Sequence, residues 1–463
     1  MSRITRRSAL KQMGALAGAA AVAPSLLGGC GEDATATPGE ITHIVVLMME
    51  NRSYDHYLGA RGLLEGKPGD GLVAGMSNPD LDGVARAIYR ESISCVADPP
   101  HSWNPCRTQW NLGANDGFMR AYQNDEGRDI GPHVMGYFGR EELPAHWALA
   151  DHFTSCDRWF SALLTQTWPN RFYWYAAQSD GVKDNVLPNG RLSVPTVLDR
   201  LDEKGVPWKY FFGDIPFLAL FERVGSTDMK RIDLGFFDQA AAGTLPPVSF
   251  IDPLFSRNDD HPPHHPILGQ QYIAAVYAAL AASPLWNNLL FVVTYDEHGG
   301  FFDHVAPPTA PDDRADQGFG QLGFRVPTLI AGPYVKAGHV SSVVRNHASI
   351  PRHIENMFGL APLTMRDAAA ADLSEVLDMD RLARGEPRPA PPLPAVEVDE
   401  SMLDDRCFAT GGGGLPKPGP TEAAMDAGLL PKEYDGRRYG LDQLHLIGDV
   451  LDKHNAGRIR RGR

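Results

Sequence analysis

The chain has 463 residues and a formal net charge of -14. Hydrophobic residues make up 43% of it and charged residues 22%, which is ordinary for a globular protein with a sizeable core. This length suits several domains, or one large α/β enzyme with a tail. The acidic balance, with no basic stripe along the body, argues against a nucleic-acid-binding protein.

The first thirty residues have the organisation of an export signal. Arg6 and Arg7 form a twin-arginine motif, and an apolar stretch rich in alanine follows at 13–29. This stretch is short and dominated by Ala and Gly, so it is poorly suited to span a membrane. The pattern predicts a twin-arginine (Tat) signal peptide over residues 1–29 and a linker over residues 30–40. The signal peptide would direct the protein to the Tat export machinery.

The cysteines carry two further predictions. Leu27-Gly28-Gly29-Cys30 resembles a lipoprotein processing box, and lipidation of Cys30 would anchor the protein to a membrane. Ordinary cleavage nearby is the alternative, so we expect a periplasmic, secreted or membrane-anchored protein. In an oxidising compartment Cys95 and Cys106 are a plausible disulfide pair. There is no CxxC spacing, which argues against a thiolate zinc site.

Three continuous apolar runs predict strands that are buried on both faces. They cover residues 41–49, 288–295 and 326–331. Helical stretches at 268–282 and 349–358 lie among them. Strands and helices in alternation indicate an α/β protein with a largely parallel sheet.

Two of these strands end in polar pairs. The first run is followed by Glu50-Asn51 and the second by Asp296-Glu297. In open α/β sheets, binding sites form at the carboxyl ends of the strands. Carboxylates buried there need a partner, and a metal cation is the natural one. Helix caps or loop residues explain one such pair easily, but two less well.

The composition changes near the C-terminus. Residues 387–394 are rich in proline, and four consecutive glycines follow further on. We interpret residues 386–420 as an extended linker or surface wrap. A helical segment at 441–451 has apolar spacing suited to docking. The chain is therefore divided into a catalytic domain, 41–385, and an extension, 386–463, that packs on it.

Five ordered motifs between residues 41 and 380 resemble the phosphoesterase family that includes bacterial phospholipases C and related acid phosphatases. The motifs are Glu50-Asn51-Arg52-Ser53, Pro100-His101-Ser102-Trp103, Thr167-Trp168-Pro169-Asn170-Arg171, Asp260-His261-Pro262-Pro263 and Asp296-Glu297-His298-Gly299-Gly300-Phe301-Phe302-Asp303-His304-Val305. One motif alone is weak evidence, whereas five in this order are strong. The resemblance implies an alkaline-phosphatase-like three-layer α/β/α sandwich with a largely parallel central sheet and one metal at its carboxyl edge.

The resemblance also implies which residues bind that metal. The matching positions are Glu50, Asn51, Asp296 and Glu297, the same residues that end the two apolar strands. All four offer oxygen ligands. Such a set favours one hard divalent cation (calcium, magnesium, manganese or iron) over a thiolate zinc site.

Thr167 matches the position of the family's nucleophile, and by residue type alone it would be unremarkable. A bound cation lowers the pKa of a hydroxyl, which suits a phosphothreonine intermediate. The family usually has Gly-Pro before this threonine, whereas this chain has Thr165-Gln166. The difference bears on how rigidly Thr167 is held, and it leaves Thr165 as an alternative nucleophile.

His101 and His261 match the histidines that surround the phosphate in the family. The developing charge on the phosphoryl oxygens needs a fixed donor, and the departing alkoxide needs a proton. We assign His101 to the first task and His261 to the second, although the roles could be exchanged. His264 and His265 lie close to His261 and are competing candidates.

Other polar residues near the motifs have two interpretations each. His298, Asp303 and His304 could orient the ligand carboxylates, which we favour, or bind a second metal. His347 matches a family segment in which two positions differ here. A structural role, in which Ser349 caps the following helix, is equally compatible with its position.

The sequence thus predicts an exported, metal-dependent phosphoric ester hydrolase. The first choice is a phospholipase C that acts on glycerophospholipids, and the second is an acid phosphatase that takes small phosphate esters. The aromatic residues at 168–175 and 208–217 could line an apolar substrate wall, or belong to the core. A non-catalytic exported protein that binds a metal or phosphate is the rival from another class. Thr167 distinguishes the two, because a binding protein would have no need for a nucleophile.

Overall fold

The computed structural model describes residues 39–92, 95–187, 190–400, 420–434 and 436–460. The predicted signal peptide, almost all of the linker at 30–40, and Cys30 lie outside these residues. Predictions about export and lipidation therefore rest on the sequence. Among the described residues, no helix combines the length and the apolar character needed to cross a bilayer.

The secondary structure alternates along the chain between strands and helices. The strands are β1 His43–Met49, β2 Ser77–Pro79, β3 Ala85–Ala87, β4 Tyr89–Arg90, β5 Gly136–Tyr137, β6 Thr154–Cys156, β7 Trp159–Phe160, β8 Trp208–Phe212, β9 Met229–Arg231, β10 Val248–Ile251, β11 Leu289–Tyr295, β12 Leu329–Ala331, β13 His339–Ser341, β14 Arg345–Asn346, β15 Val396–Asp399 and β16 Gly457–Arg460. The α-helices are α1 Ala60–Glu65, α2 Trp103–Trp110, α3 Phe118–Glu126, α4 Pro144–His152, α5 Thr167–Ala176, α6 Val197–Lys204, α7 Phe236–Ala242, α8 Pro266–Ala281, α9 Ser349–Phe358, α10 Met365–Ala369, α11 Met379–Arg384, α12 Pro420–Asp426 and α13 Gly436–Lys453.

A central sheet of eight strands has the order β13-β6-β12-β11-β1-β10-β8-β9. The strand β1 lies in the middle and pairs in parallel with both β10 and β11. The pairs β10–β8, β8–β9 and β13–β6 are also parallel, whereas β12 runs antiparallel to both its neighbours. The predicted largely parallel sheet is confirmed.

Helices cover both faces of this sheet, which explains the continuous apolar runs of its central strands. On one face the ring of Phe250 lies 6.2 Å from that of Trp174 in α5. On the other face the ring of Tyr295 lies 5.7 Å from that of His146 in α4. Every residue of β11 is buried. The chain therefore forms the α/β/α sandwich that the sequence predicts.

The predicted elements differ from the observed ones mainly in the third apolar run. Of residues 326–331 only Leu329–Ala331 forms a strand, and it is antiparallel to β11. Pro327 has no N–H to donate to a strand ladder, which explains the late start. The helices predicted at 268–282 and 349–358 are present as α8 and α9.

The C-terminal extension lies against the body wherever it is described. Trp286 Nε1 donates to the carbonyl of Arg388 at 2.9 Å, and the Tyr277 hydroxyl donates to that of Pro391 at 2.7 Å. The strands β15 and β16 form a small parallel pair, which the composition did not predict. Helix α13 is longer than the predicted segment at 441–451 and packs against α8.

The predicted disulfide between Cys95 and Cys106 is wrong. Cys95 is disulfide-bonded, but Cys106 is a free, buried thiol. Cys106 lies within α2, where its Sγ donates to the carbonyl of His101 at 2.9 Å. Cys156 is also free and buried. The spacing alone could not reveal that the helix turns the Cys106 side chain into the core.

A buried charge network lies around Arg325. Its guanidinium donates to Asp55 Oδ1 at 3.0 Å and to Asp303 Oδ1 at 2.9 Å. His304 Nδ1 lies 2.6 Å from Asp55 Oδ2, and its Nε2 lies 3.1 Å from Asp70 Oδ1. Burial by itself lowers the pKa of His304, but the carboxylates of Asp55 and Asp303 outweigh it and raise the pKa to about 9.

This network predicts a pH-dependent contribution to stability. Because the pKa of His304 is raised on folding from 6.5 to about 9, its contribution is complete below pH 6.5 and is lost as the pH rises through 9. We expect His304→Gln to lower the free energy of unfolding by about 1–3 kcal/mol at pH 6. The difference from the wild type should shrink by pH 9.5, as measured by urea denaturation.

The exposed His445 provides the matched control. His445→Gln should leave stability unchanged at both pH values. An effect of His304→Gln that is equal at pH 6 and pH 9.5 would contradict the assignment of a charged histidine to this network.

Candidate active site

The carboxyl ends of β1 and β11 bring the predicted metal ligands together. Met49 and Tyr295 are paired across the two strands, so Glu50 and Asp296 follow at the same level of the sheet. The N–H of Asn51 donates to Asp296 Oδ1 at 3.0 Å. Asn51 has a φ of 58°, a left-handed conformation that asparagine tolerates, and it turns the chain sharply after the strand.

Three oxygens of this group are buried and have no hydrogen-bond partner in the described part of the chain. They are Asn51 Oδ1, Asp296 Oδ2 and Glu297 Oε1. A buried polar atom left without a partner costs about 1–3 kcal/mol. Three such atoms on neighbouring ligand residues therefore match the oxygen donors that a hard cation requires.

The electrostatics of the carboxylates agree with this fit. Burial and the neighbouring Asp296 raise the pKa of Glu50 well above its usual value, although Arg171 opposes the shift. Burial and Asp296 likewise raise the pKa of Glu297. The carboxylates are thus crowded in a dry environment, which a positive charge would relieve.

Arg171 is a residue of the site to which the sequence interpretation gave no role. Its fully buried guanidinium lies 3.2 Å from Glu50 Oε1 and 2.8 Å from Asp252 Oδ1. It also lies 3.5 Å from Asp296 Oδ2. Asp252 follows strand β10 just as Glu50 follows β1. Asp252, an acidic residue directly after a third buried strand, was therefore a signal in the sequence for this part of the site. The sequence interpretation missed it.

Helix α5 links the candidate nucleophile to this acidic group. Thr167 is the first residue of α5, and Arg171 lies one turn later on the same face. Pro169 is tolerated here because the first turn of a helix has no partner for its N–H groups. Thr167 is 7% exposed, and its hydroxyl has no hydrogen bond within the described residues. The hydroxyl of Thr165, in contrast, donates to the carbonyl of Lys183 at 2.5 Å.

His101 and His261 lie side by side, with ring centroids 5.8 Å apart. Each Nδ1 lies 2.6 Å from a proline carbonyl, which can only accept, so each Nδ1 carries a proton. In each ring Nε2 is therefore the nitrogen left for other partners. His101 Nε2 lies 3.2 Å from Asn51 Nδ2 and 3.7 Å from Glu297 Oε1.

Asp98 accompanies the two histidines. One ligand atom from each of Asp98, His101 and His261 lies within 4.8 Å of the others, so this group could also hold a cation. Burial lowers the pKa of His261, but Asp98 and Asp259 raise it more, so the pKa lies above 6.5. The sequence interpretation missed Asp98, which lies three residues before His101.

The two competing histidines have other partners. His264 Nδ1 lies 2.5 Å from Asp259 Oδ1. His265 precedes α8, and its Nδ1 accepts the N–H of Ile267 at 3.1 Å. His265 therefore caps a helix, which is a structural role.

His298 and His347 contact the ligand residues. His298 Nε2 donates to Gln109 Oε1 at 2.8 Å, and its Nδ1 lies 3.3 Å from Glu297 Oε2. His347 Nε2 donates to the carbonyl of Asp296 at 2.6 Å. Burial lowers the pKa of His347 to about 4, so the ring is neutral. Both histidines are placed to orient a ligand.

The remaining predicted supports lie elsewhere. Asp303 and His304 belong to the network around Arg325, and neither makes a hydrogen bond to Asp296 or Glu297 in the described part of the protein. Ser349 is the first residue of α9, and its hydroxyl accepts the N–H of Asn346 at 3.3 Å. Asn346 precedes the helix and no side chain in the described ranges caps the start of α9, so the capping role expected for Ser349 is wrong, and the contact of this segment with the site is that of His347 with Asp296.

Comparisons with known proteins point to one family. The model of the Phosphoesterase family matches residues 41–361. Non-specific phospholipase C1 of Arabidopsis thaliana is 35% identical over 376 residues, 72% of this chain and 70% of that protein. Phospholipase C A of Mycobacterium tuberculosis is 30% identical over 409 residues, 74% of this chain and 78% of that protein.

Solved structures are more distant. A Vibrio parahaemolyticus protein described as belonging to the alkaline phosphatase superfamily matches with a TM-score of 0.37 and 12% identity, over 72% of this chain and 70% of that one. The family model and the curated relatives cover most of the chain. The chain is therefore a member of the Phosphoesterase family and a phosphoric ester hydrolase.

Proposed function

We propose that the protein is a metal-dependent phospholipase C that cleaves glycerophospholipids through a phosphothreonine intermediate. The observation that carries the proposal is the group of three unpartnered buried oxygens at the sheet edge, near His101 and tied through Arg171 to the helix that starts at Thr167. The relatives are themselves named phospholipases C, which supports this substrate class.

The metal ligands in this proposal are Glu50, Asn51, Asp296 and Glu297. A divalent cation held there would supply positive charge to the phosphoryl oxygens and to the attacking oxygen. Other residues of the chain hold these ligand residues in place. Arg171 fixes the Glu50 carboxylate at 3.2 Å, and His347 fixes the main chain of Asp296 at 2.6 Å.

Thr167 Oγ gives up its proton to solvent and attacks phosphorus, and the bond from phosphorus to the glycerol oxygen breaks. His261 donates a proton from Nε2 to the departing diacylglycerol, and the neighbouring Asp98 and Asp259, which raise its pKa, favour this acid role. His101, whose ring lies beside that of His261, is assigned to stabilise the phosphoryl oxygens. Water then attacks the phosphothreonine and gives a proton back to His261, the phosphorylated head group is released, and Thr167 Oγ takes up a proton from solvent as it leaves.

The hydrogen bond of Thr165 and the exposure and position of Thr167 favour Thr167 as the nucleophile. The Thr165 hydroxyl donates to a carbonyl at 2.5 Å and is fully buried. Thr167 keeps slight exposure and lies on the same face of α5 as Arg171. A non-catalytic binding protein would not need this hydroxyl at the start of the helix that carries Arg171.

An acid phosphatase that takes small phosphate esters is the second candidate, and one observation favours it. The aromatic residues at 168–175 and 208–217 are buried in the core. They therefore do not provide the apolar wall that the sequence offered for a lipid. The lipid would have to keep its acyl chains in the membrane while its phosphate enters the site.

The proposal includes export through the Tat machinery, with periplasmic, secreted or lipid-anchored residence. It rests on the twin-arginine motif and on Cys30, in residues 1–30 of the sequence. A soluble phosphate ester would be reached in any of these places, whereas anchoring through Cys30 would keep the enzyme at a phospholipid surface.

The test compares two substrates after metal removal and readdition. We expect the purified protein to release diacylglycerol from phosphatidylcholine much faster than it releases phosphate from p-nitrophenyl phosphate, and only with metal restored. Thr167→Ala should lower kcat by about 1,000-fold or more on both substrates, because it removes the nucleophile. Thr108→Ala, at an exposed position of α2, is the matched control.

Each alternative has its own outcome. Preferential release of free phosphate would identify the phosphatase. Full activity of Thr167→Ala on both substrates would exclude the covalent mechanism. No turnover of either substrate with calcium, magnesium, manganese or iron would contradict the proposal.

A further inference from the structure

A three-residue segment, Lys183-Asp184-Asn185, lies between the two stretches of chain that carry Thr167 and His101. Every residue of this segment makes a hydrogen bond to one of those stretches. The Thr165 hydroxyl donates to the carbonyl of Lys183 at 2.5 Å. The N–H of Trp168 donates to Asn185 Oδ1 at 2.7 Å.

The bonds on the His101 side complete the bridge. The N–H of Trp103, two residues after His101, donates to Asp184 Oδ1 at 3.4 Å. The ammonium of Lys183 lies over the ring of Trp103, 4.6 Å from its centroid. The segment is therefore tied to the start of α2 by a main-chain contact and by a cation–π contact.

Asn185 accepts a hydrogen bond from an N–H at the start of helix α5, where the helix has no side-chain cap of its own. The first N–H groups of a helix have no partner within the helix. The residue before α5, Gln166, makes no side-chain cap. Asn185 instead accepts the N–H of Trp168 from outside the helix, in the turn that begins at Thr167. Its side chain therefore does the work of an N-cap side chain, although Asn185 lies outside the helix.

The opposite side of this turn is fixed by Asn170. Its Nδ2 donates to the carbonyls of Thr165 and Gln166 at 2.8 and 3.1 Å. Its Oδ1 accepts the N–H of Leu163 at 2.8 Å. The backbone around Thr167 is therefore held by Asn170, which belongs to the helix, and by Asn185, which lies outside it. Loss of either contact would free the hydroxyl to move.

We propose that Asn185 is a positioning residue for Thr167, and that the segment 183–185 fixes Thr167 relative to His101. This inference rests on the proposed role of Thr167 as nucleophile. Asn185 acts through the backbone of Trp168 and does not contact the reacting atoms. A shift of about 1 Å in a reacting group lowers turnover by about 100-fold, so a contact of this kind controls kcat.

The experiment compares Asn185→Ala and Asn185→Asp with the wild type, using the metal-restored full chain and p-nitrophenyl phosphate and phosphatidylcholine as substrates. We expect Asn185→Ala to lower kcat by about 10- to 100-fold, with KM changed by no more than about threefold. Asn185→Asp keeps an oxygen that accepts the N–H of Trp168, and it should recover kcat to within about threefold of wild type.

Asn356→Ala is the matched control. Asn356 is exposed on α9, and its Nδ2 donates to Asp372 Oδ2 at 2.8 Å, so this change also removes one side-chain hydrogen bond. It should leave kcat and KM unchanged. Rates are normalised to the folded fraction, because a purely structural role would lower the yield and Tm without lowering kcat per folded molecule.

The outcomes separate this inference from the proposed function. If Thr167→Ala is inactive while Asn185→Ala keeps wild-type kcat, the positioning role is overturned and the nucleophile stands. Equal loss of kcat in Asn185→Ala and Asn185→Asp would also overturn it, because the acceptor would then be irrelevant. Full activity of Thr167→Ala would instead remove the proposed function itself.

Discussion

The structure depends on one electrostatic constraint, which is the crowding of carboxylates at the buried carboxyl edge of the central strands. Glu50, Asp252 and Asp296 follow three adjacent parallel strands, β1, β10 and β11, and so reach the same region. A single guanidinium, that of Arg171, contacts all three. Within the described residues Glu297 has histidines but no guanidinium beside it, and its Oε1, Asp296 Oδ2 and the amide oxygen of Asn51 have no hydrogen bond there. Buried negative charge of this kind is costly unless further positive charge or protonation offsets it.

Arg171 also explains how the sheet edge and the candidate nucleophile are joined. Helix α5 carries Arg171 into the carboxylates and places Thr167 one turn earlier. Its position is set by the acidic group on one side and by Asn170 and Asn185 on the other. The fold thus builds the site from strand ends, which supply charge, and from a helix start, which supplies the hydroxyl. The histidines approach from separate loops, and a proline carbonyl accepts the Nδ1 proton of each.

The sequence predicted what depends on local pattern and missed what depends on distant contacts. The apolar runs before Glu50 and Asp296 identified β1, β11 and the shared sheet edge, because a strand buried on both faces leaves a continuous pattern. Pairing direction leaves no such pattern, so the antiparallel β12 was not foreseen. Asp303 follows Glu297 closely in sequence, yet Arg325 holds it in a different network. Closeness in sequence therefore does not predict which residues contact each other when a loop lies between them.

The central claim is that one cation belongs among the residues at the ends of β1 and β11. The most direct measurement is anomalous X-ray diffraction from crystals of the protein soaked with Mn²⁺. We expect one dominant anomalous peak within ligand distance of the predicted group, Glu50, Asn51, Asp296 and Glu297. A dominant peak between Asp98, His101 and His261, or no peak at the sheet edge, would contradict the account.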